Sequence, residues 1–191
     1  MEFNFNSNYP ILEGERLILK RITKEHVDSL FIIRSDPKSM NYVPRPLAKT
    51  KEDVIEWIEQ SDKLTESNDL VNFGVFLKES PNVAIGIMGF VRMNKSNYRG
   101  EIGYVAHSIH HRKGYTFESL KLLIDFGFNV MNFHTIEACI EPSNEPSINL
   151  VEKAGFNLEA QFKENFFNPI LKEFKDTNVY CKINPNHIKK E

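Results

Sequence analysis

The residues most able to do chemistry stand together where a short basic loop separates two regular patterns. An apolar, strand-like run at residues 102–106 leads into the loop 110–114, and helical spacing begins near Tyr115. The first backbone N–H groups of a helix have no partner inside the helix, and the helix dipole adds partial positive charge there. Because the loop also supplies an arginine, a lysine and a glycine that permits close approach or a positive φ, it predicts a seat for a phosphate-bearing ligand.

The same loop has a plainer interpretation. One glycine beside Arg112 and Lys113 is also typical of an ordinary connection between a strand and a helix, with both basic side chains in solvent. On the local pattern alone, that interpretation is the better one. The choice depends on the rest of the chain.

Hydrophobic periodicity and turn residues outline the elements that position the loop. Alternating apolar residues predict strands, spacings of three and four predict helices, and Thr23 and Thr50 are helix caps. The strand after the long helix can lie parallel to the strand before it. The predicted order is a strand at 17–22, helices from 23 and 50, strands at 72–77, 84–93 and 101–106, a helix from 115, a strand at 134–141, a helix at 147–154, and strands at 156–162 and 178–183. This order predicts an α/β (α+β) protein with one mixed sheet.

Length and charge limit the classes of function. The 191 residues, 41% of them hydrophobic, suffice for one substantial core and are few for two. We therefore predict a single domain over residues 1–191 with its core at about 15–184. The formal net charge of -2 and the pI of about 6.3 argue against general attraction to nucleic acid or to an anionic membrane.

Cysteine usage and the N-terminus predict a cytoplasmic protein. Cys139 and Cys181 lie in strand-like apolar runs and lack the spacing of a zinc site or a redox motif, so we expect reduced core residues. The first residues lack a basic start followed by an apolar block. No segment approaches the roughly 18 uninterrupted apolar residues of a membrane span.

A second segment gives the basic loop a specific interpretation. Together, GYVAHSIHHRKGYTFESL (103–120) and NEPSINLVEKAGF (144–156) resemble the GNAT superfamily of acetyl-CoA-dependent N-acetyltransferases, in its RimJ/RimL-like branch. The segments ERLILKRIT, DPKSMNYVPRP and IGIMGF add to the resemblance, and the predicted element order is the family's order over nearly the whole chain. The resemblance implies the GNAT acyl-CoA N-acyltransferase fold, a mostly antiparallel sheet splayed between its fourth and fifth strands, here 101–106 and 134–141.

The resemblance implies acetyl-CoA as co-substrate, with its pyrophosphate in the basic loop. The family signature Gln/Arg-x-x-Gly-x-Gly/Ala reads His-Arg-Lys-Gly-Tyr-Thr here, so Gly114 is kept and His111 replaces Gln or Arg. The fourth strand would offer backbone groups to the pantetheine arm, and a backbone N–H of Tyr104 or Val105 would face the oxyanion. Asn144 either contacts CoA or only caps the following helix. The implied cofactor-binding residues are Tyr104, Val105, His111, Arg112, Lys113, Gly114, Tyr115, Thr116 and Asn144.

Two residues are candidates for proton transfer. Many relatives place a base where Glu101 opens the fourth strand, although a solvent-facing acid at a strand end explains Glu101 equally well. Many relatives protonate the departing thiolate with a tyrosine, but Val151 stands at that position here. Ser147 corresponds to a serine near the CoA sulfur in RimL-like relatives and is the candidate donor; alternatively, it is a first-turn helix serine after Pro146.

The histidines His107, His110 and His111 cluster in the same loop. No cysteine or second histidine set stands at a recognised ligand spacing, so we interpret them as loop residues and expect no metal.

Three functions remain open. The first is acetylation of a protein N-terminus, the second acetylation of a small amine such as a polyamine or an antibiotic, and the third CoA binding without catalysis, because the signature is altered and the tyrosine is missing. The loop 38–49 and the phenylalanine-rich region 164–176 are expected to line the acceptor site. The branch also implies a possible homodimer.

Overall fold

A computed structural model describes Phe5 and residues 8–187. The strands are β1 (Leu12–Glu13), β2 (Leu17–Arg21), β3 (Val71–Leu77), β4 (Ser80–Asn94), β5 (Arg99–Ala106), β6 (Thr135–Ile140), β7 (Asn157–Asn168) and β8 (Glu173–Ile183). The α-helices are α1 (Val27–Ser35), α2 (Lys51–Glu66), α3 (Tyr115–Asp125) and α4 (Glu145–Lys153).

The eight strands of the described residues belong to one sheet in the order β1-β2-β3-β4-β5-β6-β8-β7. Neighbouring strands are antiparallel, except that β6 runs parallel to β5. The parallel pair follows from connectivity, because α3 carries the chain from the end of β5 back to the start of β6. The expected mixed sheet and its parallel strand are confirmed.

Helices cover both faces of the sheet. Successive residues of β4 point to opposite sides, so Ile87 packs with α1 and α2 while Met88 packs with α3 and α4. The face under α3 and α4 contains the larger core. On β6 the residues Ile136, Ala138 and Ile140 point into that core, which leaves the alternate residues on the opposite, open face.

Local signals set the ends of the helices. Thr50 accepts a hydrogen bond from the N–H of Asp53, and the Asp53 carboxylate accepts from the N–H groups of Thr50 and Lys49. This capping box confirms the predicted start of α2. Asp36 ends α1 in an extended conformation, because the residue before Pro37 is driven out of the helical region.

The structure differs from the expected elements in several places. The short strand β1 precedes the first predicted strand, and β4 begins at Ser80, four residues before the predicted 84. The helix α3 continues as a π-helical turn at Phe126–Val130, and β7 and β8 extend well beyond the predicted 156–162 and 178–183. Within the described residues, no helix is long and apolar enough to cross a membrane.

One expectation about the core was wrong. Cys181 is buried, but Cys139 is exposed, because it points to the open face of β6 rather than into the core. Both thiols are free.

Candidate active site

The strands β5 and β6 separate directly after Glu101. Their parallel pairing covers only residues 99–101 of β5 and 135–137 of β6. Beyond it, residues 102–106 pair with β4 alone, while β6 continues to Ile140 against β8. In the part of the chain that the structure describes, the backbone groups of 102–106 that face β6 therefore have no ladder partner. Such an open edge can hydrogen-bond an extended ligand.

The turn after β5 presents the free N-terminus of α3. Gly114 precedes the helix with φ of 80°, and no side chain caps it. The Gly114 carbonyl accepts a hydrogen bond of 3.0 Å from the N–H of Glu118, so the N–H groups of residues 115–117 are not used inside the helix. Arg112, also at positive φ, and Lys113 are exposed beside them. Of the two uses expected for the glycine, a positive φ is observed, and the arrangement suits a bound anion.

The histidines of this turn contact neighbouring residues of the turn and of β5. The Nε2 atom of His111 lies 3.0 Å from the carbonyl oxygen of Ala106, so this nitrogen carries the proton and donates to the end of β5. The ring of His110 lies between those of His107 and Tyr115. Burial, with Lys113 and His107 nearby, lowers the pKa of His110, which is therefore neutral near pH 7. Among the described residues, no group of His, Cys, Asp and Glu side chains could hold a metal ion.

Arg16, which the sequence analysis did not single out, clamps the same turn. Its guanidinium donates to the Glu118 carboxylate at 2.8 Å and to the Lys113 carbonyl at 3.2 Å, and it lies over the Tyr115 ring. The backbone N–H of Arg16 also donates to Glu118. These contacts attach the first turn of α3 to the connection between β1 and β2. The conformation at Gly114 is thereby held from outside the helix.

Glu101 lies at the vertex of the gap. Its side chain is 13% exposed and pairs with Arg92 at 3.0 Å, and its register partner is Glu137, which pairs with Arg99. Burial raises the pKa of Glu101, Glu137 adds to the rise, and Arg92 opposes it. A shielded carboxylate with a raised pKa is well suited to accept a proton.

Cys139 forms part of the surroundings of Glu101. Its thiol lies near the Glu101 carboxylate, and partial burial, followed by the negative charges of Glu101 and Glu137, raises the pKa of Cys139 to about 12. The thiol therefore stays protonated and is a poor nucleophile.

The N-terminus of α4 approaches the gap from the other side. Asn144 caps α4 by accepting a hydrogen bond of 3.3 Å from the N–H of Ser147, as one of the two interpretations expected. The Tyr104 hydroxyl is buried and has no hydrogen-bond partner of good geometry within the described residues. Burial raises the pKa of Tyr104, and the nearby Ser147 hydroxyl opposes the rise. The sequence analysis selected Tyr104 for its backbone and did not anticipate this side chain.

The two segments expected to line the acceptor site lie near the ends of β5 and β6. Within the loop 38–49, Tyr42 donates a hydrogen bond of 3.0 Å to the carbonyl of Ser143, just beyond β6. The region 164–176 forms an arm of β7 and β8 that projects past the end of β6, joined to it by the ion pair of Lys175 and Glu141. The arm exposes large apolar side chains, namely Phe166, Phe167, Ile170, Leu171 and Phe174.

Comparison with known proteins agrees with this geometry. Residues 16–157 match the family described as Acetyltransferase (GNAT) domain. The chain belongs to this family. The uncharacterized N-acetyltransferase p20 of Bacillus licheniformis is 35% identical over 156 residues, which are 80% of this chain and 85% of that protein. Spermidine N(1)-acetyltransferase of Escherichia coli (strain K12) is 27% identical over 92 residues, 48% of this chain and 50% of that protein.

A solved structure shows the same fold. The ribosomal-protein-S5-alanine acetyltransferase from Vibrio fischeri superimposes with a TM-score of 0.79 at 22% identity, over 94% of this chain and 100% of that chain. The predicted GNAT fold is thus confirmed. This GNAT protein is an N-acetyltransferase.

The residues present fit acetyl-CoA, the co-substrate of the family. A diphosphate needs unused N–H groups and positive charge, which residues 115–117 with Arg112 and Lys113 offer. A long amide-containing arm needs an open strand edge, which β5 offers beyond Glu101. The strand edge faces the gap, and the turn with the unused N–H groups follows the same strand.

Proposed function

We propose that this protein transfers an acetyl group from acetyl-CoA to the N-terminal α-amine of a protein. The observation that supports this most is the separation of β5 from β6 after Glu101, beside the free N-terminus of α3. The gap gives a thioester and an amine one place to meet. Holding two reactants in reacting geometry can remove about 7–11 kcal/mol of barrier.

The cofactor-binding role falls to the turn and to the open strand. The N–H groups of Tyr115 and Thr116, with the side chains of Arg112 and Lys113, bind the diphosphate, and Gly114 supplies the backbone conformation. His111 holds the turn against the end of β5 through the Ala106 carbonyl.

The open edge and α4 complete the cofactor site. Backbone groups of Tyr104 and Val105 bind the pantetheine arm and face the oxyanion. A contact of Asn144 with CoA stays a prediction, since its cap uses the Oδ1 atom and not the amide nitrogen. Acetyl-CoA brings an acetyl group activated as a thioester.

The proton-transfer roles fall to Glu101 and Ser147. Glu101 accepts the proton of the incoming amine, helped by its raised pKa and held by Arg92. Ser147 holds a proton at Oγ for the departing sulfur. The Tyr104 hydroxyl, which burial keeps neutral, lies beside Ser147 and can orient the serine proton when the substrates are bound.

The acceptor preference rests on the ease of deprotonation. A peptide α-amine has a pKa near 8 and a lysine side chain one near 10.4, so freeing the neutral α-amine near pH 7 costs roughly 3 kcal/mol less. A single carboxylate such as Glu101 is therefore a more adequate base for an α-amine than for a lysine side chain. The Vibrio fischeri structure, named for a ribosomal protein as acceptor, shares the fold and supports the same choice.

A small amine is the second candidate acceptor. The similarity to spermidine N(1)-acetyltransferase over 92 residues favours it. The open face also carries Glu101, Glu137 and Glu141, although each is paired with a basic side chain.

Thiol release from acetyl-CoA, measured with N-terminal peptides and with polyamines, tests the proposal. Release that depends on the peptides, with the acetyl group found on the α-amine by mass spectrometry, is expected. Thiol release with polyamines but not with peptides would show that the acceptor is a small amine. Binding of acetyl-CoA without turnover on either class would contradict both.

A further inference from the structure

The loop between α1 and α2 is fixed to the end of β5 through one carboxylate. Asp36 accepts hydrogen bonds from the Ser39 hydroxyl at 2.6 Å, the Ser108 hydroxyl at 2.7 Å, the Lys38 N–H at 3.1 Å and the Ser39 N–H at 3.2 Å. The Ser39 hydroxyl accepts from the N–H of Ser108 at 2.9 Å. Asp36 and Ser39 therefore bind Ser108, two residues beyond β5, from both its side chain and its backbone.

The same loop is fixed at the end of β6. Tyr42 donates to the carbonyl of Ser143, which follows β6 by three residues. Met40 lies between the residues that contact Ser108 and the one that contacts Ser143, and its side chain is buried, with only 4% exposed. The loop therefore spans the ends of the two strands that separate at the gap.

Local turn chemistry does not account for this network. An aspartate before proline commonly accepts the N–H groups that follow it, as Asp36 does with Lys38 and Ser39. The bond to Ser108 joins residues 72 positions apart and is not needed for such a turn. The Ser39 and Ser108 hydroxyls, with the two N–H groups, hold the pKa of Asp36 far below its usual range, so the carboxylate is ionised at any working pH. Hydrogen bonds to an ionised acceptor are short and strong.

We propose that Asp36 is a positioning residue that holds this loop across the mouth of the gap and so sets the affinity for the acceptor amine. The inference rests on the proposed transfer of acetyl to an amine at that gap. If the loop is already ordered, binding an acceptor does not have to order it. If Asp36 no longer holds Ser108, each binding event includes that ordering, and the KM for the acceptor rises.

Acetyl-CoA binding has separate supports. The cofactor turn is held by the His111 contact with Ala106 and by the Arg16 contacts with Lys113 and Glu118, none of which involves Asp36. The His111 N–H also donates to the Ser108 carbonyl at 3.2 Å, but Asp36 and Ser39 bind the hydroxyl and the N–H of Ser108 and not that carbonyl. The dissociation constant for acetyl-CoA is therefore expected to stay constant while the acceptor KM moves. A general loss of stability would not separate these two quantities.

The substitution Asp36→Asn tests the proposal, with Asp53→Asn as the matched control. Asp53 also accepts two N–H bonds, from Lys49 at 2.7 Å and Thr50 at 3.0 Å, but it lies at the other end of the loop and does not reach β5. We expect Asp36→Asn to raise the acceptor KM roughly tenfold or more, the effect of weakening hydrogen bonds to a charged group. The acetyl-CoA dissociation constant should not change in either variant, nor the acceptor KM in the control.

Ser108→Ala provides a second variant if Asp36→Asn does not fold. It removes one donor from the far side of the network, and it should raise the acceptor KM in the same direction. In a variant with both Asp36→Asn and Ser108→Ala, the rise in acceptor KM should not exceed that of Asp36→Asn alone, because both substitutions remove the hydrogen bond between Asp36 and Ser108. A wild-type protein without acetyl transfer would refute the proposed function. If the wild type is active and Ser108→Ala has the wild-type acceptor KM, only the inference about Asp36 is overturned. The same conclusion follows if Asp36→Asn and Asp53→Asn have equal acceptor KM values.

Discussion

Glu101 and Glu137 face each other as the last register pair of β5 and β6 before the strands separate. Each carboxylate has its own cation, Arg92 for Glu101 and Arg99 for Glu137. The pair therefore marks the vertex of the gap and supplies a carboxylate that burial and a like charge make more basic than usual. The predictions about catalysis start from this pair.

Replacing Glu101 by glutamine should remove the proton acceptor and keep the fold. The expected loss in kcat is about 10²–10⁴, the usual contribution of a general base, with acetyl-CoA affinity unchanged. The pKa of Glu101 is higher in the folded protein than in the unfolded chain. As the pH rises through the interval between these two pKa values, ionisation of Glu101 therefore lowers the free energy of unfolding. Glu101→Gln should consequently unfold at the same or higher denaturant concentration at pH 7. A wild-type kcat in this variant would show that Glu101 is a solvent-facing acid and not the general base.

Replacing Glu137 by glutamine should shift the pH profile. Activity requires ionised Glu101, so kcat should fall as pH decreases through its raised pKa. Removing the negative charge of Glu137 eases ionisation of Glu101, and the acidic limb of the profile should move to lower pH. The titration of the acceptor amine is common to both proteins and cancels in the comparison. A limb that stays in place, or moves upward, would refute the coupling.

Tyr104→Phe should separate stability from activity. The buried phenol has no hydrogen-bond partner of good geometry in the described residues, a state that costs about 1–3 kcal/mol, so removing its oxygen should leave the free energy of unfolding equal or higher. If Tyr104 orients the Ser147 proton, kcat should fall while acetyl-CoA affinity holds, and the fall should vanish in a Ser147→Ala background. Tyr180→Phe, in the same core but on β8, is the control. An unchanged kcat in Tyr104→Phe would refute its role beside Ser147.

Arg16→Ala should weaken acetyl-CoA binding without touching the gap. Its contacts with Lys113, Glu118 and Tyr115 hold the first turn of α3 in place for the diphosphate. Arg21→Ala is the matched control, because Arg21 also forms an ion pair, with Asp62 at 3.0 Å, but lies at the far end of β2, away from the turn. A higher dissociation constant in the first variant alone is expected, measured by calorimetry. Equal values in both would show that the clamp is not needed for binding.

Much of this architecture could be predicted because its signals are local. The capping box at Thr50 and the glycine at 114 are each set by neighbours within a few residues, and both fall where the sequence places them. Alternation and helical spacing supplied most of the strands and helices in order. The resemblance carried by 103–120 and 144–156 then selected the family.

The parts that could not be predicted depend on distant partners or lack a burial pattern. Arg16 meets Glu118 across 102 positions, and Asp36 meets Ser108 across 72, so no periodicity reveals either contact. The arm of β7 and β8 exposes both faces, so its sequence does not alternate as a half-buried strand does.

Gly114→Ala, compared with Gly155→Ala, tests most directly that the turn before α3 holds the cofactor. Both glycines have φ near 80°, and a side chain at either position costs on the order of 1 kcal/mol in the folded state. Gly155 follows α4, away from the turn. Titration of acetyl-CoA should therefore show a clearly weakened dissociation constant for Gly114→Ala and a wild-type value for Gly155→Ala. Wild-type affinity in Gly114→Ala would contradict the site proposed here.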